Sequence, residues 1–269
     1  FRPSAAHRWL NCAGSVWVAN AMPGDSSSYA DEGTIAHKLQ AHKLDPDNNE
    51  SPTIEELATL GSENIALIND GVELIQNIAM LDGYEILVET EVTAKFGERE
   101  VSGTADVVLI NDTGLIIVDL KFGAGRKVRV EFNTQLTIYG LAARYSIPGA
   151  SKLPVTLGTL QPRGQGEGLS LWQCPEDYLA QMKKNYAAAI ERAYAVALED
   201  PSRPDPAFIQ GPWCWGCVGR TGTGKPDSGV CPAVLKSAIM FRCGGELADA
   251  QPIQMPWWML EHADATAKL

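Results

Sequence analysis

No apolar run in the 269-residue chain comes near the ~18 residues needed to cross a bilayer. A membrane-spanning helix is therefore not expected. The opening Phe1-Arg2-Pro3-Ser4 has no signal-peptide apolar core and no initiating Met. The expected location is the cytoplasm, and the expected start lies upstream of Phe1. Positive charge is in short supply: 22 Lys and Arg face 33 Asp and Glu, for a net charge of −11. That balance excludes a protein that coats nucleic acid non-specifically, but it leaves open catalysis on nucleic acid, where only the local field matters. Disulfides are not expected of six cysteines in such a chain, and metal or cluster binding is. There is no internal repeat.

What is present is an ordinary globular composition, 45% apolar and 20% charged. The length suits one large domain, or one domain with an appendage. Ser4 can cap a short helix with Ala5, Trp9 and Leu10 on its apolar face and Cys12 near its end. Residues 21–28 read as a loop, and a helix follows from Asp31. A helix over 53–81 opens with Thr53 and Glu56 in a capping box, and Gly61 is a candidate break. Three strands follow at 84–96, 99–110 and 114–120. The short turns between them imply antiparallel neighbours. The remaining elements are a helix over 129–145, strands over 153–161 and 169–173, and a helix over 175–198. Residues 200–229 are loop-like, 232–243 suit a short helix, and 246–269 form a tail. This order describes an α/β domain with a mixed central sheet flanked by helices.

The third strand ends in Val118-Asp119-Leu120-Lys121, before a loop holding Gly123 and Gly125. Residues two apart on a strand share a face, so Asp119 and Lys121 project together. By itself the pair is compatible with a structural ion contact. Asp106 lies on the preceding strand, within a hairpin that can bring it beside Asp119. Two buried carboxylates repel unless a cation lies between them. Gln135 and Tyr139 share one helix face, as do Gly33 and His37. Glu89 and Glu91 share a face of the first strand and are candidate outer-shell acids. Arg126, Lys127 and Arg129 follow Lys121 with no acid before Glu131, a local basic loop able to approach a phosphate backbone.

Taken in order, His37, Asp106 before an apolar run, Asp119-x-Lys121 and Gln135-x-x-x-Tyr139 resemble the RecB-type signature of the PD-(D/E)XK nuclease superfamily over residues 30–145. The third motif carries Asp119 where Glu is common. The resemblance implies a restriction-endonuclease-like core. It implies that His37, Asp106, Asp119 and the Leu120 carbonyl hold Mg²⁺ or Mn²⁺, and that Asp106, Asp119, Lys121, Gln135 and Tyr139 are catalytic. Lys121 would act on the water or on charge gathering at phosphorus, and Gln135 and Tyr139 on the DNA backbone or on Lys121. Asp119 is then a metal ligand more than a salt-bridge partner of Lys121.

Cys214 and Cys217 form a C-x₂-C pair, and Cys231 follows thirteen intervening residues later. With Cys12 they resemble the four-cysteine staple of the iron–sulfur subset of RecB-type nucleases. That implies a [4Fe–4S] cluster, with zinc as the rival occupant. Family members usually have a tighter last spacing, and Cys243 competes with Cys231 as last ligand. Cys174 reads as structural. The His7-Arg8-Trp9-Leu10-Asn11-Cys12 opening, the Glu32-Gly33-Thr34 element ahead of His37 and Gly103-Thr104-Ala105-Asp106 look like a family of phage-encoded RecB-like nucleases, from about residue 4 to 235.

The implied division is an N-terminal segment 1–30, a nuclease core 31–200, a cysteine-rich region 201–245 and a tail 246–269. The implied function is metal-dependent DNA hydrolysis, most readily as an exonuclease, in phage DNA processing, recombination or host-DNA degradation. DNA is the implied partner, with a helicase or single-strand annealing protein beside it, in the cytoplasm of the host. The second reading is a non-catalytic, cluster-stapled DNA-binding subunit of a helicase–nuclease complex.

Overall fold

The computed structural model describes residues 1–21, 28–123, 127–163, 168–198, 208–209, 211–214, 217 and 231. These fall into two compact units, one drawn from Arg2–Ser4 and Ser26–Asn185, the other from Phe1, Ala5–Asp25 and Tyr186–Leu269.

The larger unit holds helices α3 (Ser28–Leu44), α4 (Ile54–Leu60) and α5 (Ser62–Asp82). Strands β1 (Glu85–Phe96), β2 (Arg99–Asn111) and β3 (Gly114–Leu120) follow, then α6 (Thr134–Ser146), β4 (Val155–Leu160), β5 (Leu169–Gln173) and the first part of α7 (Glu176–Leu198). The expected break at Gly61 is real. Its φ of 79° suits glycine, and it ends α4 and opens α5. The capping box forms, with the Glu56 amide donating to Thr53 Oγ1 at 3.2 Å and the Thr53 amide donating to Glu56 Oε2 at 2.6 Å.

The five strands make one mixed sheet in the order β1-β2-β3-β4-β5. The three hairpin-joined strands are antiparallel. After the α6 crossover β4 runs parallel to β3, and β5 returns antiparallel. A parallel neighbour requires such a crossover, because a two-residue turn cannot reverse the chain twice. Strand β3 is buried along its whole length, as its unbroken apolar run predicts for an interior strand. One core joins Ile35, Leu39, Ile68, Val72 and Ile75 of the helices to Val107, Leu109, Ile116, Val118 and Leu120 of the sheet. Helix α6 lies against β1, β3 and β4. It comes so close to β4 that a Cβ on Gly140 would stand 2.8 Å from Val155 Cγ1.

Helix α6 starts later than its apolar pattern suggests. Phe132, expected within it, has φ of 59°, and Asn133 caps the helix by accepting the Leu136 amide at 3.2 Å. A left-handed residue cannot continue a helix, so periodicity overran the true start.

In the other unit, α1 (Ala6–Trp9) and α2 (Gly14–Ala21) flank Cys12. Ser4 lies in a 3-10 turn, Pro3–Ala5, in place of the expected capping position. Helix α2 was not expected. Trp9 packs edge-on against Phe1 and Tyr186 at centroid distances of 5.4 and 6.1 Å. Among the described residues no helix is long and apolar enough to cross a membrane. The expected loops over 22–27 and 164–167, most of the loop over 200–229, the helix over 232–243 and the tail lie outside the described residues, as do Arg126 and Cys243.

Candidate active site

The β2–β3 register pairs Val107 with Val118, so Asp106 and Asp119 face each other across adjacent strands. This is the juxtaposition the hairpin length predicts. Asp106 Oδ2 accepts the Leu120 amide at 2.8 Å and stands 3.2 Å from His37 Nδ1. Helix α3 thus delivers His37 to the sheet. Burial alone would lower the His37 pKa, but the hydrogen bond and charge of Asp106, with Asp119 and Glu89 behind it, outweigh burial and raise it.

Asp119 is only 3% exposed. Burial first, and the Asp106 charge second, push its pKa up to about 6 against the pull of Lys121. Its two oxygens have different surroundings. Oδ1 accepts Gln135 Nε2 at 2.7 Å. Oδ2 forms an ion pair with Lys121 Nζ at 2.6 Å. Lys121 Nζ also donates to Gln135 Oε1 at 2.9 Å. Asp119, Lys121 and Gln135 therefore close a ring of contacts in which Gln135 is both donor and acceptor. Tyr139, one turn further along α6, hydrogen-bonds Gln135, and burial pushes its phenol up to about 12. Gly103 makes room for that ring: a Cβ there would meet Tyr139 Cε1 at 3.1 Å.

Glu89 stands closer to the centre than an outer-shell acid. Ligand atoms of His37, Glu89 and Asp106 all lie within 4.8 Å of one another. Glu89 has φ of 44° in the middle of β1, opposite Asp106. A bulky residue in that conformation is strained and usually serves a local purpose. Here it turns the carboxylate toward His37 and Asp106. Burial and the Asp106 charge both raise the Glu89 pKa. Nothing in the sequence distinguishes Glu89 from Glu91 in this respect, because alternation alone puts them on one face.

Of the basic loop, Lys127 and Arg129 are exposed. Arg129 Nε donates to Glu131 Oε2 at 3.3 Å, so the acid that ends the basic run offsets one of its charges. Gln161 is a residue the sequence reading passed over. Its Oε1 accepts the Val128 amide at 2.9 Å and its Nε2 donates to the Gly123 carbonyl at 3.3 Å, tying the two sides of the loop to the end of β4. A buried glutamine directly after an apolar strand was the available signal.

Four cysteines gather in the unit that contains both chain ends. Cys12 is buried with Val18 and Phe208, and Cys231 and Trp213 pack on the same cluster. Burial raises the Cys12 pKa, and the charges of nearby Cys214 and Cys217 add to the rise. The Cys217 amide donates to the Cys214 carbonyl at 3.1 Å, and the Gly211 amide donates to Cys214 Sγ at 3.4 Å. None of the described cysteines is in a disulfide. Cys174 stands apart, with a burial-raised pKa of about 12.

Over residues 1–222 the chain matches the model of a family described as "Protein of unknown function (DUF2800)". It belongs to the DUF2800 family. Among solved structures, the DUF2800 chain is similar to a Eubacterium rectale protein described as a "Putative exonuclease", at 12% identity and a TM-score of 0.45, over 78% of this chain and 89% of that one. It is also similar to the protein SSO0001, at 14% identity and a TM-score of 0.37, over 81% and 83% of the two chains.

Proposed function

We propose that this DUF2800 protein is a divalent-cation-dependent deoxyribonuclease, with exonucleolytic hydrolysis of DNA as its reaction. The observation that carries the reading is the Asp119 carboxylate, only 3% exposed, with its Oδ2 2.6 Å from Lys121 Nζ and with Asp106 facing it from the neighbouring strand. Three acids whose charges oppose one another, with one imidazole, form a donor set that a hard or borderline divalent cation relieves. His37, Asp106, Asp119 and the Leu120 carbonyl would hold Mg²⁺ or Mn²⁺, with Glu89 joining them. When bound, such a cation supplies Lewis-acid chemistry, polarising a phosphate oxygen and easing deprotonation of water.

The chain's own residues do the remainder. Lys121 offers its ammonium to charge developing on the scissile phosphate. Gln135 fixes the Lys121 position from α6, and Tyr139, a phenol that stays protonated at neutral pH, fixes Gln135. Lys127 and Arg129, with Arg126, provide phosphate contacts in a protein otherwise negative.

In the cysteine-rich unit we propose that Cys12, Cys214, Cys217 and Cys231 hold a [4Fe–4S] cluster. The N–H···S bond to Cys214 suits a cluster thiolate. Tetrahedral zinc, with Zn–S near 2.3 Å, would draw the sulfurs to about 3.8 Å from each other. A phage or prophage setting, with a helicase or annealing protein as companion, follows from the sequence resemblance.

The deciding experiment is digestion of end-labelled single- and double-stranded DNA with Mg²⁺ or Mn²⁺. Wild-type protein is expected to release nucleotides from an end, and Asp119→Ala to release none. Intact DNA with both metals and both substrates overturns the reading.

A further inference from the structure

Phe132 is 56% exposed, although it carries a bulky apolar ring. Its φ of 59° is a conformation that aromatic residues adopt only against strain. Two features hold it there. Asn133 immediately caps α6, and the ring is braced by Trp172 of β5 and Tyr178 of α7 at centroid distances of 5.0 and 5.4 Å. Trp172 and Tyr178 also brace each other at 5.3 Å, and Tyr178 is tied to Thr137 of α6 by a 3.2 Å hydrogen bond between hydroxyls. The Arg129 guanidinium stands 5.5 Å from the Phe132 ring centroid, and exposed Lys127 lies two residues upstream of it.

A half-exposed ring on a rigid aromatic base, with the Arg129 guanidinium over it and exposed Lys127 two residues before that arginine, matches one kind of ligand. It is a flat π-system on an anionic backbone. Burial does not explain the strained backbone, because the ring it places remains more than half in solvent. The position relative to the catalytic groups also fits. Phe132 is three residues before Gln135, and Trp172 sits two strands from β3, about 10 Å across the sheet at ~4.8 Å per strand. That is a span of one or two nucleotides.

We propose that Phe132, braced by Trp172 and Tyr178 and flanked by Lys127 and Arg129, is a stacking site for an unpaired nucleobase. Single-stranded DNA is then the strand class held beside Asp119 and Lys121. A base inside a duplex has both faces covered by its neighbours and cannot lie on this ring. The proposal rests on the nuclease reading for what happens next to the site, but not for the binding itself.

The test is fluorescence anisotropy with labelled oligonucleotides in chelator, so that no strand is cut. The probes are oligo-dT, an abasic strand of equal length and charge, and a blunt duplex. Wild-type protein is expected to bind oligo-dT roughly 5- to 100-fold more tightly than the abasic strand, and more tightly than the duplex. Phe132→Gly removes the ring and also accepts the positive φ, so it should fold. It is expected to abolish the preference for dT over the abasic strand and leave abasic binding unchanged. Phe132→Trp is expected to keep the preference. Equal binding of dT and abasic strands by wild-type protein, tighter binding of the duplex, or an unchanged preference in Phe132→Gly overturns the proposal. Cutting of DNA without a base preference would overturn the stacking site alone. A base preference without cutting in Mn²⁺ would overturn the nuclease reading alone.

Discussion

Lys121 Nζ donates to Gln135 Oε1 at 2.9 Å, so the ammonium at the end of β3 is held by the helix that follows it. The same amide side chain donates to Asp119 Oδ1 at 2.7 Å. Gln135 therefore holds both members of the 2.6 Å Asp119–Lys121 pair from α6, and it need not touch phosphate to matter. Gln135→Leu removes both bonds while keeping the side-chain volume. It is expected to lower kcat roughly a hundredfold, the scale of losing one oriented donor. KM and Mn²⁺ affinity should stay within about threefold of wild type. Steady-state kinetics with a short labelled strand separates kcat from KM. A change confined to KM would show instead that Gln135 binds DNA.

The buried Asp119 gives the cation-free protein a defined pH dependence. Its folded pKa of about 6 lies above the ordinary 3.8, so the folded state holds this proton more tightly than the unfolded one. The associated stability is fully present below about pH 3.8 and lost as pH rises through about 6. His37, raised above 6.5 chiefly by Asp106 against the opposing effect of burial, acts in the same direction: stabilising while protonated, and lost as pH rises through its folded value. Thermal melts in chelator are expected to show a Tm that falls from about pH 4 to about pH 6 as Asp119 titrates and falls further above pH 6.5 as His37 loses its proton. Asp119→Asn should flatten that fall and melt higher than wild type at the alkaline end. Saturating Mn²⁺ should raise the wild-type Tm more at the alkaline end than at the acid end, because the ligands no longer carry protons.

Glu89 separates backbone strain from ligand chemistry. Its positive φ disfavours any side chain, and the carboxylate it aims at His37 and Asp106 carries no such conformational gain. Glu89→Gly is therefore expected to match or exceed the wild-type Tm in chelator while weakening Mn²⁺ binding about tenfold or more. Free-Mn²⁺ electron paramagnetic resonance titration measures the affinity without any turnover. Unchanged affinity would assign Glu89 no part in holding the cation.

The capping box at α4 provides a control remote from chemistry. Thr53→Ala removes the acceptor of the Glu56 amide and is expected to cost about 1 kcal/mol. In a chain of this size that lowers Tm by about 2–4 °C. Mn²⁺ affinity and cutting rate should not move. A loss of either would mean that α4 couples to the site through α3, where Lys38 Nζ donates to Glu56 Oε2 at 3.0 Å.

How much of this was legible in the sequence depends on the range of the interaction. Strands β3 and β5 have the bounds that their apolar patterns and turn residues predict, because these signals are local and bounded by glycine or proline. The pairing of Asp106 with Asp119 was legible too, since a tight hairpin leaves few registers. Glu89 was not. A positive φ within an unbroken strand register changes where a side chain points without changing the apolar pattern. The α6 start was missed for a related reason: Phe132 continues the apolar period while its backbone has left the helix. Trp172 and Tyr178 are far from Phe132 in sequence, so their convergence depends on β5 and α7 together. Gln161 was legible in principle as a buried amide and was passed over because its partners are backbone atoms of another loop.

The cysteines give the remaining prediction, and its logic is one of comparison between thiols. Cys12, Cys214, Cys217 and Cys231 share one neighbourhood although about two hundred residues separate the first from the other three. Cys174 is as buried as Cys12 but belongs to the other unit. Protein purified without oxygen is expected to be brown, with broad visible absorption and about four irons per chain. Cys214→Ser should bleach it and lower the Tm, because the N–H···S bond and the cluster are lost together. Cys174→Ser should leave colour and iron unchanged. A colourless wild-type protein with one zinc would replace the cluster by a tetrahedral site, and the sulfurs would then have to move within about 3.8 Å of each other. Colour retained in Cys231→Ser but lost in Cys243→Ser would transfer the last ligand position to Cys243.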